Sequence, residues 1–94
     1  MIIIAGHWRA KSVIERDAAI SAFADVVTRA RSADGCIDVA ITADSVEDDR
    51  VNVLECWRDQ QALDAWRKIA KGPRVAVKDA KVQLYRTGDA EKPT

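Results

Sequence analysis

The chain has 94 residues, 48% of them hydrophobic, and its 15 Lys and Arg balance 15 Asp and Glu. A length of this order makes one domain and buries a modest share of its surface, so a second subunit would help to cover it. The even charge, with no basic stripe interleaved with aromatics, speaks against a nucleic-acid partner, and no apolar run approaches the ~20 residues needed to span a bilayer.

Met1 to Ala5 is apolar but has no basic n-region and is too short for a signal peptide. It reads as the start of a buried strand, and the protein is expected to be cytoplasmic. Along Ile2–Arg9, Ile2, Ile4, Gly6 and Trp8 share one face, while Ile3, Ala5, His7 and Arg9 share the other. Both faces are apolar near the start, so both are expected to be covered.

Ser12 to Glu15 fits a capping box. A helix starting there would place Arg16 or Asp17 on the apolar stripe of Ile20, Phe23, Val27 and Ala30, so the regular helix is expected from about Glu15. It ends before Gly35, a natural C′ residue. Residues 36–42 alternate, with Ile37, Val39 and Ile41 against Asp38, Ala40 and Thr42, as a strand does. Asp44 to Asp49 is a charged turn without the Gly and terminal Glu of a calcium loop.

Residues 51–57 form the next strand, in which Glu55 and Trp57 share a face. Asp59 caps a second helix that places Leu63, Trp66 and Ile69 or Ala70 on one side, and Lys71-Gly72-Pro73 ends it. Residues 74–79 are ambiguous, with a short turn of helix the one reading they offer. Residues 80–87 read as a last strand and 88–94 as a polar, disordered tail, leaving 1–87 as the domain.

The order β-α-β-β-α-β is the ferredoxin-like, split βαβ arrangement. Right-handed crossovers make it an α+β fold with a four-stranded antiparallel sheet and both helices on one face. The other face would carry apolar residues that the helices cannot reach, and a symmetric partner would cover it, with Trp8 or its strand neighbours in the interface. Cys36 and Cys56 lack metal spacing. In a hairpin centred near Glu47 they fall nearly opposite each other, so a cross-strand disulfide and two reduced thiols both stay open.

The run Arg16-Asp17-Ala18, Ala30-Arg31, Gly35-Cys36, Asp44, Arg50, Glu55-x-Trp57 and Ala62-Leu63 resembles the antibiotic biosynthesis monooxygenase family, over nearly all of residues 2–87. The resemblance implies a homodimeric α/β barrel of ferredoxin-like subunits. It also implies oxidation of a small aromatic, a quinol or polyphenol, by dioxygen, without metal, flavin or haem. A deprotonated phenol is electron-rich enough to reduce dioxygen, so the protein need only bind it, help remove a proton and exclude water.

Three positions depart from members of that family. Polyketide-oxidising members carry an asparagine four residues before the strand tryptophan; Trp57 matches the tryptophan, but Val53 replaces the asparagine. In haem-degrading members the set is a strand asparagine, a helix tryptophan and a histidine ten residues later. Here these positions hold His7, Trp66 and Ala76, and haem degradation of that type is not expected.

His7 is the only histidine and so the candidate general base, imidazole being the side chain that ordinarily changes protonation near neutral pH. The alternative is a hydrogen-bonded sheet residue. Arg9, Trp57 and Trp66 are the candidate substrate-binding residues, although both tryptophans would also serve as core with their N–H groups bonded to backbone carbonyls. Glu55 either orients a base or pairs with a basic residue. Non-catalytic binding of a hydrophobic small molecule, and isomerisation of an aromatic-derived acid, are the rival readings.

Overall fold

The strand that opens the chain runs through the middle of the sheet. In the computed structural model, which describes residues 1–94, the elements are β1 (Ile2–Arg9), α1 (Val13–Arg31), β2 (Cys36–Ala43), β3 (Arg50–Trp57), α2 (Gln60–Ile69) and β4 (Lys78–Arg86). The sheet order is β2-β3-β1-β4 and every pairing is antiparallel. This is the ferredoxin-like α+β fold. No helix is long and apolar enough to cross a membrane. Residues 88–94 are exposed and carry no regular secondary structure.

Register assigns the faces. Ile2 pairs with Trp57, Ile4 with Glu55, Gly6 with Val53 and Trp8 with Val51, so these side chains share one side of the sheet. Both helices pack there. One cluster joins Ile2, Ile4, Val39 and Trp57 of the sheet to Ala30, Ala62, Leu63 and Trp66 of the helices. The other joins Trp8, Val51, Ala10 and Ala19, with Phe23 and Ile20 against it. Full burial of Leu63 or Val51 contributes about 1.5–3 kcal/mol each. Trp8, at 6% exposed, belongs to this helix-side core, which removes it from the interface expected on the opposite face.

Helix α1 begins at Val13, two residues before the expected start. The Ser12 hydroxyl accepts the Glu15 N–H at 3.1 Å. Arg16 is tolerated on the apolar stripe because its stem lies along the core while its head leaves it. The guanidinium pairs with Asp17 at 2.9 Å and donates to the Glu47 carbonyl at 3.4 Å. At the other end the helix stops at Arg31, with the Ser32 N–H bonded to the Arg29 and Ala30 carbonyls. Gly35 is therefore not C′ but part of the turn into β2. Its φ is +79°, and a Cβ there would overlap the Ala62 methyl.

Residues 74–77 carry no regular secondary structure, helical or otherwise, and β4 starts at Lys78 instead of residue 80. Val75 packs against the Trp8 cluster, which ties the segment to the core. Between His7 and Arg9 on β1, β4 accommodates one extra residue, pairing His7 with Lys81 and Arg9 with Lys78. Asp79, at φ +51°, is in this bulge. Gly6, at φ +153°, brings β4 close, since a Cβ would overlap the Lys81 carbonyl oxygen. The same kind of irregularity separates the cysteines: Cys36 faces Trp57 and Asp38 faces Cys56 across β2 and β3. Cys36 packs on the helix-side core, whereas Cys56, next to Trp57, points to the other face, and both are free. Burial pushes both thiols up from their ordinary pKa, with Asp38 adding to the effect.

Candidate functional site

Between the sheet and the two helices lies a cavity of about 210 Å³. Its walls come from Phe23, Val26, Val27 and Ala30 of α1, Val39 and Ile41 of β2, Trp66 of α2, and Ala70 and Gly72 beyond it. Glu55 of β3 is the single ionisable side chain among the ten lining residues. The strand positions it there because Glu55 lies on the helix-facing side with Trp57, two residues on.

The Glu55-x-Trp57 spacing makes a direct bond. The Trp57 indole Nε1–H donates to Glu55 Oε1 at 3.1 Å. Trp57 is fully buried and stacks on Trp66, with ring centroids 6.2 Å apart and planes 23° apart. A buried core residue thus holds one carboxylate oxygen in place, while Trp66 forms the adjoining wall. At the rim, Arg29 lies 6.0 Å from the centroid of the Trp66 ring. It donates to the Lys71 carbonyl at 2.7 Å and pairs with Asp25 at 2.9 Å, tying α1 to the chain after α2.

The structure does not bring the four expected site residues together. Trp57 and Trp66 are in contact, but Trp57 supports Glu55 rather than lining the cavity, and its N–H meets a carboxylate rather than a backbone carbonyl. His7 pairs with Asn52 and Lys81 on the sheet face away from the helices. Arg9 lies on that same side, where it donates to Asp49 at 2.8 Å and to Glu47 at 3.1 Å. These bonds raise its pKa further above the usual guanidinium range, Glu47 contributing most. His7 and Arg9 therefore lie on one face of the sheet and Trp57 and Trp66 on the other. Glu55 was the residue that sequence reasoning undervalued, and its i, i+2 spacing from a tryptophan was the available signal.

The acidic turn between β2 and β3 is a network rather than a loose loop. Asp44 accepts the backbone N–H of Glu47 at 2.8 Å and of Val46 at 3.1 Å, and the Asn52 amide at 2.9 Å. The Asn52 amide first, then these backbone donors, lower its pKa to about 2. Arg50 adds bonds to Asn52 at 2.8 Å and Glu47 at 3.4 Å. No three His, Cys, Asp or Glu side chains converge closely enough to hold a metal ion. A larger groove of about 350 Å³ runs between Asp34 and α2. Its Arg58 is bonded to Asp34 at 3.5 Å and Asp59 at 3.3 Å, so its charges serve each other. The cavity beside Glu55 combines apolar walls with one hydrogen-bonded carboxylate, the usual make-up of a small-molecule site.

The fold is that of a ferredoxin-like α+β protein. The family model of the antibiotic biosynthesis monooxygenases matches residues 1–71, and the chain belongs to that family. Three solved structures have the same fold. A Deinococcus radiodurans protein provisionally assigned to the antibiotic biosynthesis monooxygenases is 20% identical with a TM-score of 0.72, covering 100% of this chain and 99% of that one. PA3566 of Pseudomonas aeruginosa is 20% identical with a TM-score of 0.71, covering 93% of each chain. A conserved Bacteroides thetaiotaomicron protein of unknown function, described as a possible oxidoreductase, is 25% identical with a TM-score of 0.66, covering 73% of this chain and 72% of that one. A comparison with curated protein sequences returns no match.

Proposed function

We propose that the protein is a cofactor-independent monooxygenase that oxidises a small aromatic, a quinol or polyphenol, with dioxygen in the cavity beside Glu55. The observation that carries this reading is an apolar cavity whose one ionisable side chain is a carboxylate held by an indole. The cavity's 210 Å³ is below the ~300–1,000 Å³ of drug-sized sites, which favours one or two fused rings. The phenolic O–H loses its proton to Glu55, the role first assigned to His7. The ring passes an electron to dioxygen, and an unsubstituted ring carbon bonds to one oxygen. The resulting hydroperoxide breaks its O–O bond, leaving one oxygen as a quinone carbonyl and the other in water. The proton held by Glu55 passes to the peroxide, and the ring C–H proton leaves as the O–O bond breaks. Substrate plus dioxygen thus gives water and a quinone with one more oxygen, the phenolic oxygen having become its other carbonyl. Trp66 and Phe23 supply flat apolar contact.

An oxygen electrode with a panel of quinols and polyphenols tests the proposal. Protein-dependent uptake is expected, falling ~10²-fold or more in Glu55→Gln if Glu55 is the base. No protein-dependent uptake across the panel overturns it and leaves the binding-protein reading. An absorbance change without oxygen consumption identifies an isomerase instead.

We also propose a homodimer joined through the open sheet face. Ile3, Ala5 and Cys56 are half-buried there, beside Leu54 at 37% and Tyr85 at 48% exposed. His7 and Asn52 would then lie in the interface and the cavities would remain within each subunit.

A further inference from the structure

We propose that residues 71–74 are a strap that closes over a ligand in the cavity beside Glu55, with Arg29 as its latch. Residues 71–77 carry no regular secondary structure, and none of them joins a backbone–backbone hydrogen bond. The only hydrogen bond that reaches them comes from Arg29, whose Nη2–H donates to the Lys71 carbonyl oxygen at 2.7 Å. The chain on both sides is fixed. Before the strap, the Ala70 N–H donates to the Trp66 carbonyl at 2.8 Å and closes α2. After it, Val75 packs on the Trp8 cluster and Lys78 pairs with Arg9. A segment with so few bonds, held between two packed anchors, opens locally at a small cost in free energy.

The strap borders the cavity. Ala70 and Gly72 line it, and Gly72 is the one exposed residue among the ten that do, which puts the mouth at the strap. A Cβ on Gly72 would lie 3.8 Å from Phe23 Cε1, an ordinary contact, so the strap already sits within reach of the α1 wall. An apolar ligand between Phe23, Trp66 and Gly72 gives the strap a contact surface that water does not. Arg29 is placed to hold the strap and to release it. Its Nε–H pairs with Asp25, one turn back, at 2.9 Å, which aims the second nitrogen at Lys71. The side chain is 41% exposed, so water competes for the guanidinium and the latch is weak. The inference rests on the cavity taking a ligand, as proposed above, but not on the oxidation of that ligand.

Limited proteolysis with trypsin provides the test, because Lys71 and Arg74 are cleavage sites within the strap. Cleavage after Lys11, exposed ahead of α1, is the internal reference, and 1-naphthol in oxygen-free buffer is the ligand. In the free protein, Arg29→Met is expected to speed strap cleavage about five- to tenfold. Arg29→Lys keeps the charge but cannot reach Asp25 and Lys71 together, and is expected to follow Arg29→Met. Gly72→Ala, whose methyl has room, is expected to slow strap cleavage about two- to fivefold by restricting the open segment. At about ten times its Kd, read from tryptophan quenching, naphthol is expected to protect both strap bonds up to about tenfold and to leave the Lys11 bond unchanged. Strap rates unchanged in an Arg29→Met protein of unaltered melting overturn the latch. Naphthol that quenches without protecting the strap, or that does not quench at all, overturns the closure. Should Arg29→Met not fold, Gly72→Ala decides: cleavage as fast as in the unaltered protein, with and without naphthol, overturns the inference. Oxygen uptake plays no part in these rates, so failure of the proposed oxidation leaves the strap standing, and a strap that never closes leaves the oxidation untouched.

Discussion

Asp79 is the one non-glycine residue with positive φ, at +51°, and it absorbs the extra residue of the β1–β4 bulge. Asp tolerates this region better than a β-branched residue does, because its short side chain crowds the backbone less. Asp79→Val is therefore expected to cost about 1–2 kcal/mol relative to Asp79→Gly. Urea denaturation of the two variants measures it, and equal midpoints would mean that the bulge relaxes without strain. At Glu55, residue identity and spacing were legible in the sequence, since strand alternation alone puts Glu55 and Trp57 on one face. The hydrogen bond between them was not, because alternation gives the side of the sheet but not which partner each polar atom meets.

Caps and turns were readable at the scale of the element. Asp59 accepts the Ala62 N–H at 2.8 Å, as its place before the second helix suggested. The β2–β3 turn was recognised, but its bonding came from distant residues: Arg9 from the first strand and Arg16 from the helix that follows it. Acid should loosen this turn. The Asp44 carboxyl ordinarily titrates at 3.8 and is held at about 2 in the fold, so its charged form is favoured there. The stability it contributes is complete above about pH 4 and is lost as pH falls toward 2. Asp44→Asn lacks this dependence. The stability difference between the two proteins is expected to shrink or reverse across that window, as chemical denaturation at pH 5, 3 and 2 would show. A difference constant with pH would mean that Asp44 is not the group responsible.

The whole molecule leaves one sheet face open, with β4 exposed along its full length. The proposed homodimer is expected by light scattering at micromolar concentration, with more than ~1,200 Å² buried. Leu54→Glu places a charge at the centre of that face and is expected to yield monomers with a native circular dichroism spectrum. Dimers that withstand it would place the interface elsewhere. Haem is expected to survive incubation with the protein and a reductant in air, read as a steady Soret band. Ala76 borders a different cavity with Glu15, Ala19 and Val75, where no histidine can act as a proximal ligand. Protein-dependent decay of the band would show that another residue ligates the iron.

The sequence by itself determined the six elements and a four-stranded antiparallel sheet with both helices on one face, because these follow from local periodicity, caps and crossover handedness. It also carried enough of the family pattern to point to the family. Only the tertiary structure decided which face of the first strand meets the helices. Ile3 and Ala5 are nearly as apolar as Ile2 and Ile4, so alternation defined two faces without saying which one the helices cover. Once Trp8 and Val51 pack against Ala19, His7 must point the other way. Packing of Trp57 on Trp66 then places Glu55, rather than the only histidine, beside the cavity. Such contacts join residues far apart in the chain, and they depend on how the helices cross the sheet rather than on any local pattern.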